Sequence, residues 1–229
     1  MTPLLLIPGM MCDARMWGTL PGALAPRMVH HALPTGGETM DAIAAALLAK
    51  APPRFALAGL SMGGIVAMEM LHQAPGRIER LALLDTNPLA ELPAVQARRA
   101  PQIARAMAGD LAGVMLEQMI PNYLAEPGDP AIQDLCLDMA LALGPEVFRQ
   151  QSLALRERAD RTETLARFTG PALVLMGAED RLCPRERHEL MHALMPQSKL
   201  VVVPDAGHLP PLEQPGATLA ALNDWLCDA

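Results

Sequence analysis

Six short apolar runs, each about the length of a strand, constrain this chain most. They fall at residues 3–7, 28–32, 55–58, 78–84, 171–176 and 199–203. Several are apolar throughout rather than alternating, as in strands buried on both faces of a parallel sheet. Between them, 16–24, 40–50, 63–73, 185–194 and 212–226 have the spacing of helices. Pro34, Pro52, Pro53, Pro75, Pro196 and Pro204 punctuate the joints. Strand and helix alternating in this way predict an α/β chain with a mostly parallel, doubly wound sheet flanked by helices.

One segment breaks the rhythm. From 88 to 168 no run reads as a strand, and the composition turns to Ala, Leu, Met, Arg and Gln. Pro or Gly recurs at 101, 109, 121, 127–130 and 144–145. This is too long for a loop and too apolar for a linker, so about four helices inserted into the core are expected. The predicted organisation is a core of residues 1–87 and 169–229, with 88–168 as a helical cap.

Size and charge narrow the function classes. With 229 residues, 51% apolar and 19% charged, the chain can bury a full core. Its net charge is −7 and it has no block of Lys and Arg, which argues against nucleic acid as a partner. The apolar run at 4–7 is too short for a signal peptide or a membrane span, so a cytoplasmic protein is expected. Cys12, Cys136, Cys183 and Cys227 form no CxxC pair and no metal-ligand spacing. Free thiols, no metal and no cofactor are therefore expected. The sixteen methionines suit a core and an adaptable apolar pocket.

The chemistry centres on Gly59-Leu60-Ser61-Met62-Gly63, which follows the third apolar run and opens a helix. A serine hydroxyl is a weak nucleophile and must meet a base and a substrate together. A tight strand-to-helix turn exposes it, and the flanking glycines relieve the crowding that such a turn creates. Of the three serines, Ser61, Ser152 and Ser198, only Ser61 has this setting. The helix that starts at Gly63 turns its positive end toward the same place.

A nucleophilic serine needs a base, and the base needs an orienting acid. His30 and His31 lie in a predicted strand, and His72, His188 and His192 fall on helices, on faces expected to be solvated. His208 stands in a loop after the last strand, within Asp205-Ala206-Gly207-His208. Open α/β sheets place their sites at such strand ends. For the acid, Asp180 follows the fifth strand within Gly177-Ala178-Glu179-Asp180 and ranks first. Asp85 at the end of the fourth strand ranks second, with Glu179 and Asp205 as further rivals. Backbone N–H groups of Met62 and of Met10, which follows Ile7-Pro8-Gly9, are the candidate oxyanion donors. Gly9 is expected to turn the Met10 N–H inward.

At this point the chain resembles the α/β-hydrolase superfamily nearly end to end. Leu-Leu-Ile-Pro8-Gly9 resembles its oxyanion loop, although Pro8 stands where His is commoner. Gly59 to Gly64 resembles its nucleophile elbow. Gly177 to Asp180, with Pro184 after it, resembles the acid turn. Gly207-His208, followed by Glu213 and Pro215, resembles the histidine loop. The segment Arg156–Asp160, ahead of Leu165 and Pro171, is also similar to small esterases of this type, with no catalytic role assigned to it. The chain starts almost on the oxyanion strand and omits the hairpin that often precedes it, so the sheet should have about six strands. That leaves its edges, and the choice of monomer or homodimer, open.

The resemblance implies a cofactor-free serine hydrolase of carboxylic esters, with Ser61, His208 and Asp180 as triad. Its substrate would be a small-molecule ester with an apolar acyl group. The same residues could serve a lactonase, thioesterase, perhydrolase or carbon–carbon bond hydrolase, or an acyltransferase with a non-water acceptor. Dehalogenase or epoxide-hydrolase chemistry needs an aspartate nucleophile, which Ser61 excludes. A non-enzymatic binder on the same fold usually lacks a triad member, and all three are present here.

Overall fold

The computed structural model describes residues 1–227. Six strands form one sheet: β1 (Leu4–Ile7), β2 (Val29–His31), β3 (Phe55–Leu60), β4 (Ile78–Leu84), β5 (Ala172–Gly177) and β6 (Lys199–Val203). Their order is β2-β1-β3-β4-β5-β6 and every pair is parallel. All six predicted strands are present. Those that read as continuously apolar, β1, β3 and β5, are buried at every position. The two edge strands are not: β2 is half-buried to exposed, and β6 begins on exposed Lys199.

The helices are α1 (Leu20–Ala23), α2 (Met40–Lys50), α3 (Met62–Gln73), α4 (Pro93–Arg105), α5 (Leu111–Val114), α6 (Pro130–Arg156), α7 (Thr162–Ala166), α8 (Arg185–Leu194), α9 (Pro210–Glu213) and α10 (Pro215–Cys227). Through their contacts α2, α3, α7 and α8 form one connected group against the sheet, and α1 and α10 form another. Buried β5 touches both α8 and α10, so the two groups cover its two faces.

Two predicted helices are split. Residues 16–24 give a 3-10 turn, Ala14–Trp17, and then α1, because Gly18 between them has φ 51°. Residues 212–226 give α9 and α10, separated at Gln214. A residue before proline is pushed out of the helical region, and Gln214 precedes Pro215 with φ −135°.

Between Leu84 and Ala172 no strand occurs among the described residues. That segment consists of α4, α5, α6 and α7, with wide π turns at Ala106–Asp110 and Met115–Met119 and a 3-10 turn at Ile120–Asn122. The long α6 is broken where the sequence breaks it, at Gly144 (φ 82°, ψ 171°) before Pro145.

The sheet order sets the position of a site. From β1 the chain steps outward to β2, then returns to the other side of β1 for β3. Ligands of open α/β sheets bind beyond the carboxyl ends of strands at such a reversal. The ends are in register there: Ile7 pairs with Gly59, and Leu60 with Leu84. Further along, Gly177 at the end of β5 pairs with Val203 at the end of β6.

Candidate active site

Ser61 leaves β3 with φ 54° and ψ −118°, a conformation that L-residues seldom adopt. Four hydrogen bonds hold it. Its N–H donates to Leu84 O at 2.9 Å. Its carbonyl accepts from the N–H groups of Gly64 and Ile65, at 2.9 and 3.1 Å, and from Thr86 Oγ1 at 2.7 Å. The glycines are steric requirements. A Cβ on Gly59 would overlap the Gly63 carbonyl, and one on Gly63 would overlap Ile7 O. A Cβ on Gly64 would lie 2.6 Å from Thr86 Oγ1. Strain of this kind persists only where the surroundings over-determine it.

The loop after β1 faces this turn. Gly9 is not the residue that turns it, contrary to expectation. An added Cβ there would meet nothing closer than 3.5 Å, and the positive φ belongs to Met11, at 56°. Gln151, fully buried on α6, explains how Met11 is held. Its Oε1 accepts the Met11 N–H at 2.9 Å, and its Nε2 donates to Pro34 O at 3.0 Å. Among the described residues no protein acceptor takes the N–H of Met10 or of Met62.

His208 is buried after β6. Its N–H donates to Tyr123 O at 2.7 Å, and its ring lies 6.1 Å from the Tyr123 ring. Its Nδ1 lies 3.0 and 2.9 Å from the two carboxylate oxygens of Asp180. Asp180 Oδ1 also accepts the N–H groups of Leu182 and Cys183, at 2.8 and 3.1 Å. Burial alone would raise the Asp180 pKa. The His208 charge and these hydrogen bonds outweigh it, and the carboxyl titrates below its ordinary range. Of the rivals, Glu179 and Asp205 are exposed.

Asp85 is fully buried at the end of β4 with φ 44°. Its Oδ1 accepts the Gly177 N–H at 2.8 Å, and its Oδ2 lacks a hydrogen-bond partner. Burial, and then the charge of Asp180, push its pKa well up. His188 departs from the sequence reading, which put it on a solvated face. It is fully buried, and its Nε2 accepts the Thr86 N–H at 3.3 Å. Burial lowers its pKa to about 4, so the ring is neutral. Helical periodicity alone does not distinguish α8's inner face when that face carries a histidine.

The histidine loop is fastened by Glu213. Its carboxylate accepts the N–H groups of Gly207 (3.0 Å), Leu209 (3.0 Å) and Ala125 (2.7 Å). A Cβ on Gly177 would overlap the Gly207 carbonyl, so the acid strand and the histidine loop pack backbone to backbone.

Ser61, Met10, Met62 and His208 line one cavity of about 470 Å³. Its wall is apolar at Met10, Leu60, Met62, Ile65, Leu155 and Leu209. An apolar pocket is only part of the description, because five arginines line it as well. Two clusters bring possible metal donors within 4.8 Å of one another: Asp180, half-buried Cys183 and His208, and the buried Asp85, Asp180 and His188. Both share Asp180, whose oxygens already accept from His208 and two backbone N–H groups. Burial also pushes the Cys183 thiol well up, the opposite of what a thiolate ligand needs.

The parallel sheet places a strained serine at its reversal point, and the histidine of a buried carboxylate–imidazole pair lines the same cavity. The chain belongs to the alpha/beta hydrolase family, whose sequence model matches residues 4–222. It is 28% identical to a pimeloyl-[acyl-carrier protein] methyl ester esterase of Pectobacterium carotovorum, covering 94% of this chain and 91% of that protein. A thermophilic esterase from Thermogutta terrifontis, solved with malate bound, superposes with a TM-score of 0.89 at 32% identity, covering 99% of this chain and 89% of that one. An enol-lactonase from Burkholderia xenovorans shares the fold, with a TM-score of 0.85 at 20% identity over 100% of this chain and 92% of that one.

Proposed function

We propose that this protein hydrolyses carboxylic esters through an acyl-enzyme formed on Ser61. The observation that carries the reading is His208 Nδ1 lying 2.9 Å from the buried Asp180 carboxylate, in a cavity wall shared with Ser61. A proton on Nδ1 satisfies that pair and leaves Nε2 as an acceptor. Nε2 then takes the Ser61 proton as Oγ attacks the acyl carbon, and returns it to the leaving alcohol. Asp180 holds the tautomer and offsets the imidazolium charge. The N–H groups of Met10 and Met62 receive the oxyanion, and because no protein acceptor occupies them they need no reorganisation. Water repeats the attack with His208 as base, and the acid leaves. These steps draw on no cofactor.

Residues 88–168 act in this scheme as a cap over the core formed by 1–87 and 169–229. Supporting this, Glu91, Val95, Gln102, Met119, Tyr123 and Leu155 of that segment line the cavity that holds Ser61. Two relatives named as esterases favour ester hydrolysis over transfer to another acceptor. The apolar part of the wall suits the acyl chain of a small ester. None of the helices among the described residues is long and apolar enough to cross a membrane.

The test is Ser61→Ala. It should abolish turnover of p-nitrophenyl butyrate, a loss on the order of 10⁴-fold or more, and abolish labelling by a fluorophosphonate. The circular dichroism spectrum should stay that of the wild type. Wild-type turnover in the variant would refute the assignment.

A further inference from the structure

The cavity has a charge that the chain as a whole does not. The protein's net charge is −7, yet Arg98, Arg99, Arg158, Arg181 and Arg187 line the cavity against a single acidic residue, Glu91. Arg181 is balanced from outside by Glu126, 2.7 Å away. Arg98 and Arg187 have no acidic partner among the described residues.

The decisive part is buried. Glu91, with its side chain 2% exposed, accepts from two guanidinium groups. Arg99 binds it through Nε and Nη2, and Arg158 through Nη1 at 2.9 Å. Both arginine side chains are only 10% exposed. One carboxylate therefore faces two buried cations, and a net positive charge remains in the wall. Removing such a charge from water is costly unless an anion compensates it. Arg158 Nε is used by Leu89 O at 2.9 Å. Arg99 Nη1 and Arg158 Nη2 have no protein acceptor among the described residues, and neither atom is sealed from solvent. Burial pulls the Arg158 pKa down, and the neighbouring Arg99 charge adds to that against the opposing pull of Glu91.

We propose that the ester substrate carries a second, anionic group, a carboxylate or a phosphate, which the Arg99–Arg158 pair binds in this cavity. The inference rests on the hydrolase reading above and supplies a substrate class to it. Guanidinium groups suit the task, because their fixed N–H forks match the oxygens of a carboxylate or phosphate. The segment Arg156–Asp160, singled out in the sequence without a catalytic role, contributes Arg158 and so gains one in specificity. An exposed surface pair would not serve, since solvent and salt would screen it.

The test compares kcat/KM for matched esters. Monomethyl adipate is set against dimethyl adipate for the carboxylate source, and 2-acetoxyethyl phosphate against 2-methoxyethyl acetate for the phosphate source. At least one anionic ester should be preferred by about 10-fold or more, and the pair that shows it identifies the group. Arg158→Gln and Arg99→Gln should each erase that preference, mainly through KM. A second measurement needs no variant: free adipate or inorganic phosphate should inhibit p-nitrophenyl butyrate turnover competitively. Turnover of p-nitrophenyl butyrate with no preference for either anionic ester and no inhibition would overturn this inference alone. An enzyme that cleaved no ester would overturn the hydrolase reading and this one with it.

Discussion

The carboxyl groups of Asp85 and Asp180 converge behind the histidine, with donor atoms within 4.8 Å of each other and of buried His188. They sit at neighbouring strand ends yet are driven in opposite directions. Asp180 is held ionised by His208 and two backbone N–H groups. Asp85 is desolvated, faces that charge, and has one oxygen unpartnered. Two like charges this close are not both stable, so the proton resides on Asp85.

This separates the two candidate acids experimentally. Near neutral pH, Asp85→Asn replaces a protonated carboxyl with an amide of the same shape, whose Oδ1 still accepts the Gly177 N–H. Its kcat should stay within about 3-fold of the wild type, whereas Asp180→Asn should lose about 10⁴-fold through the wrong tautomer of His208. The stability effect has a definite sign. A carboxyl whose folded pKa lies above its unfolded value costs nothing below the unfolded pKa, and costs more as pH rises toward the folded one. Asp85→Asn removes that cost. Its melting temperature should exceed the wild type's at pH 8 by about 2–4 °C, the shift that about 1 kcal/mol makes at this size. At pH 4 the gain should nearly vanish. A gain that grew toward acid pH would contradict the protonated Asp85.

Glu213 is the second target. Its carboxylate is the common acceptor for Gly207, Leu209 and Ala125, so it ties the histidine loop to the segment after Tyr123. Glu213→Ala strips three backbone N–H groups of their acceptor and should destabilise the fold by on the order of 3 kcal/mol. Glu213→Gln retains one acceptor oxygen and should fall between. Urea denaturation measures both. If the loop's function is to aim His208, kcat should fall in the same order while the fluorophosphonate still labels the folded fraction. Equal kcat in all three proteins would show that the loop needs no such anchor.

The reach of the sequence follows from which interactions are local. Continuous apolar runs identified β1, β3 and β5, because burial on both faces leaves no alternation to misread, and the alternation of strand with helix identified the rest. Ser61, Asp180 and His208 stood out because a nucleophile turn and two strand-end loops have local composition. Gln151 on Met11, Glu91 between Arg99 and Arg158, and Thr86 on Ser61 were not legible. Each joins segments whose spacing in the chain follows no period, and each is a polar residue that reads as surface until its partner is known. His188 was misread for the same reason: its burial is compensated by a backbone N–H 102 residues away.

The glycines around the elbow give the last prediction, because two that look alike in sequence differ sharply in space. Gly63 lies against the end of β1. A Cβ there would overlap Ile7 O and come within 2.6 Å of Pro8 O, both backbone atoms that cannot swing aside. Gly9, in the facing loop, has ordinary contact distances of 3.5 Å to Leu60 Cδ2 and Ser61 Cβ, and it does not need a positive φ. Gly63→Ala should therefore push β1 from the start of α3, lower stability by about 3 kcal/mol or more, and separate the Met10 N–H from Ser61. Gly9→Ala should cost less than about 1 kcal/mol, and it reduces unfolded-chain entropy in partial compensation. Thermal melts rank the two, and p-nitrophenyl butyrate turnover reads the oxyanion geometry. A Gly9→Ala enzyme as impaired as Gly63→Ala would mean that the loop moves during the reaction into space its resting conformation leaves open.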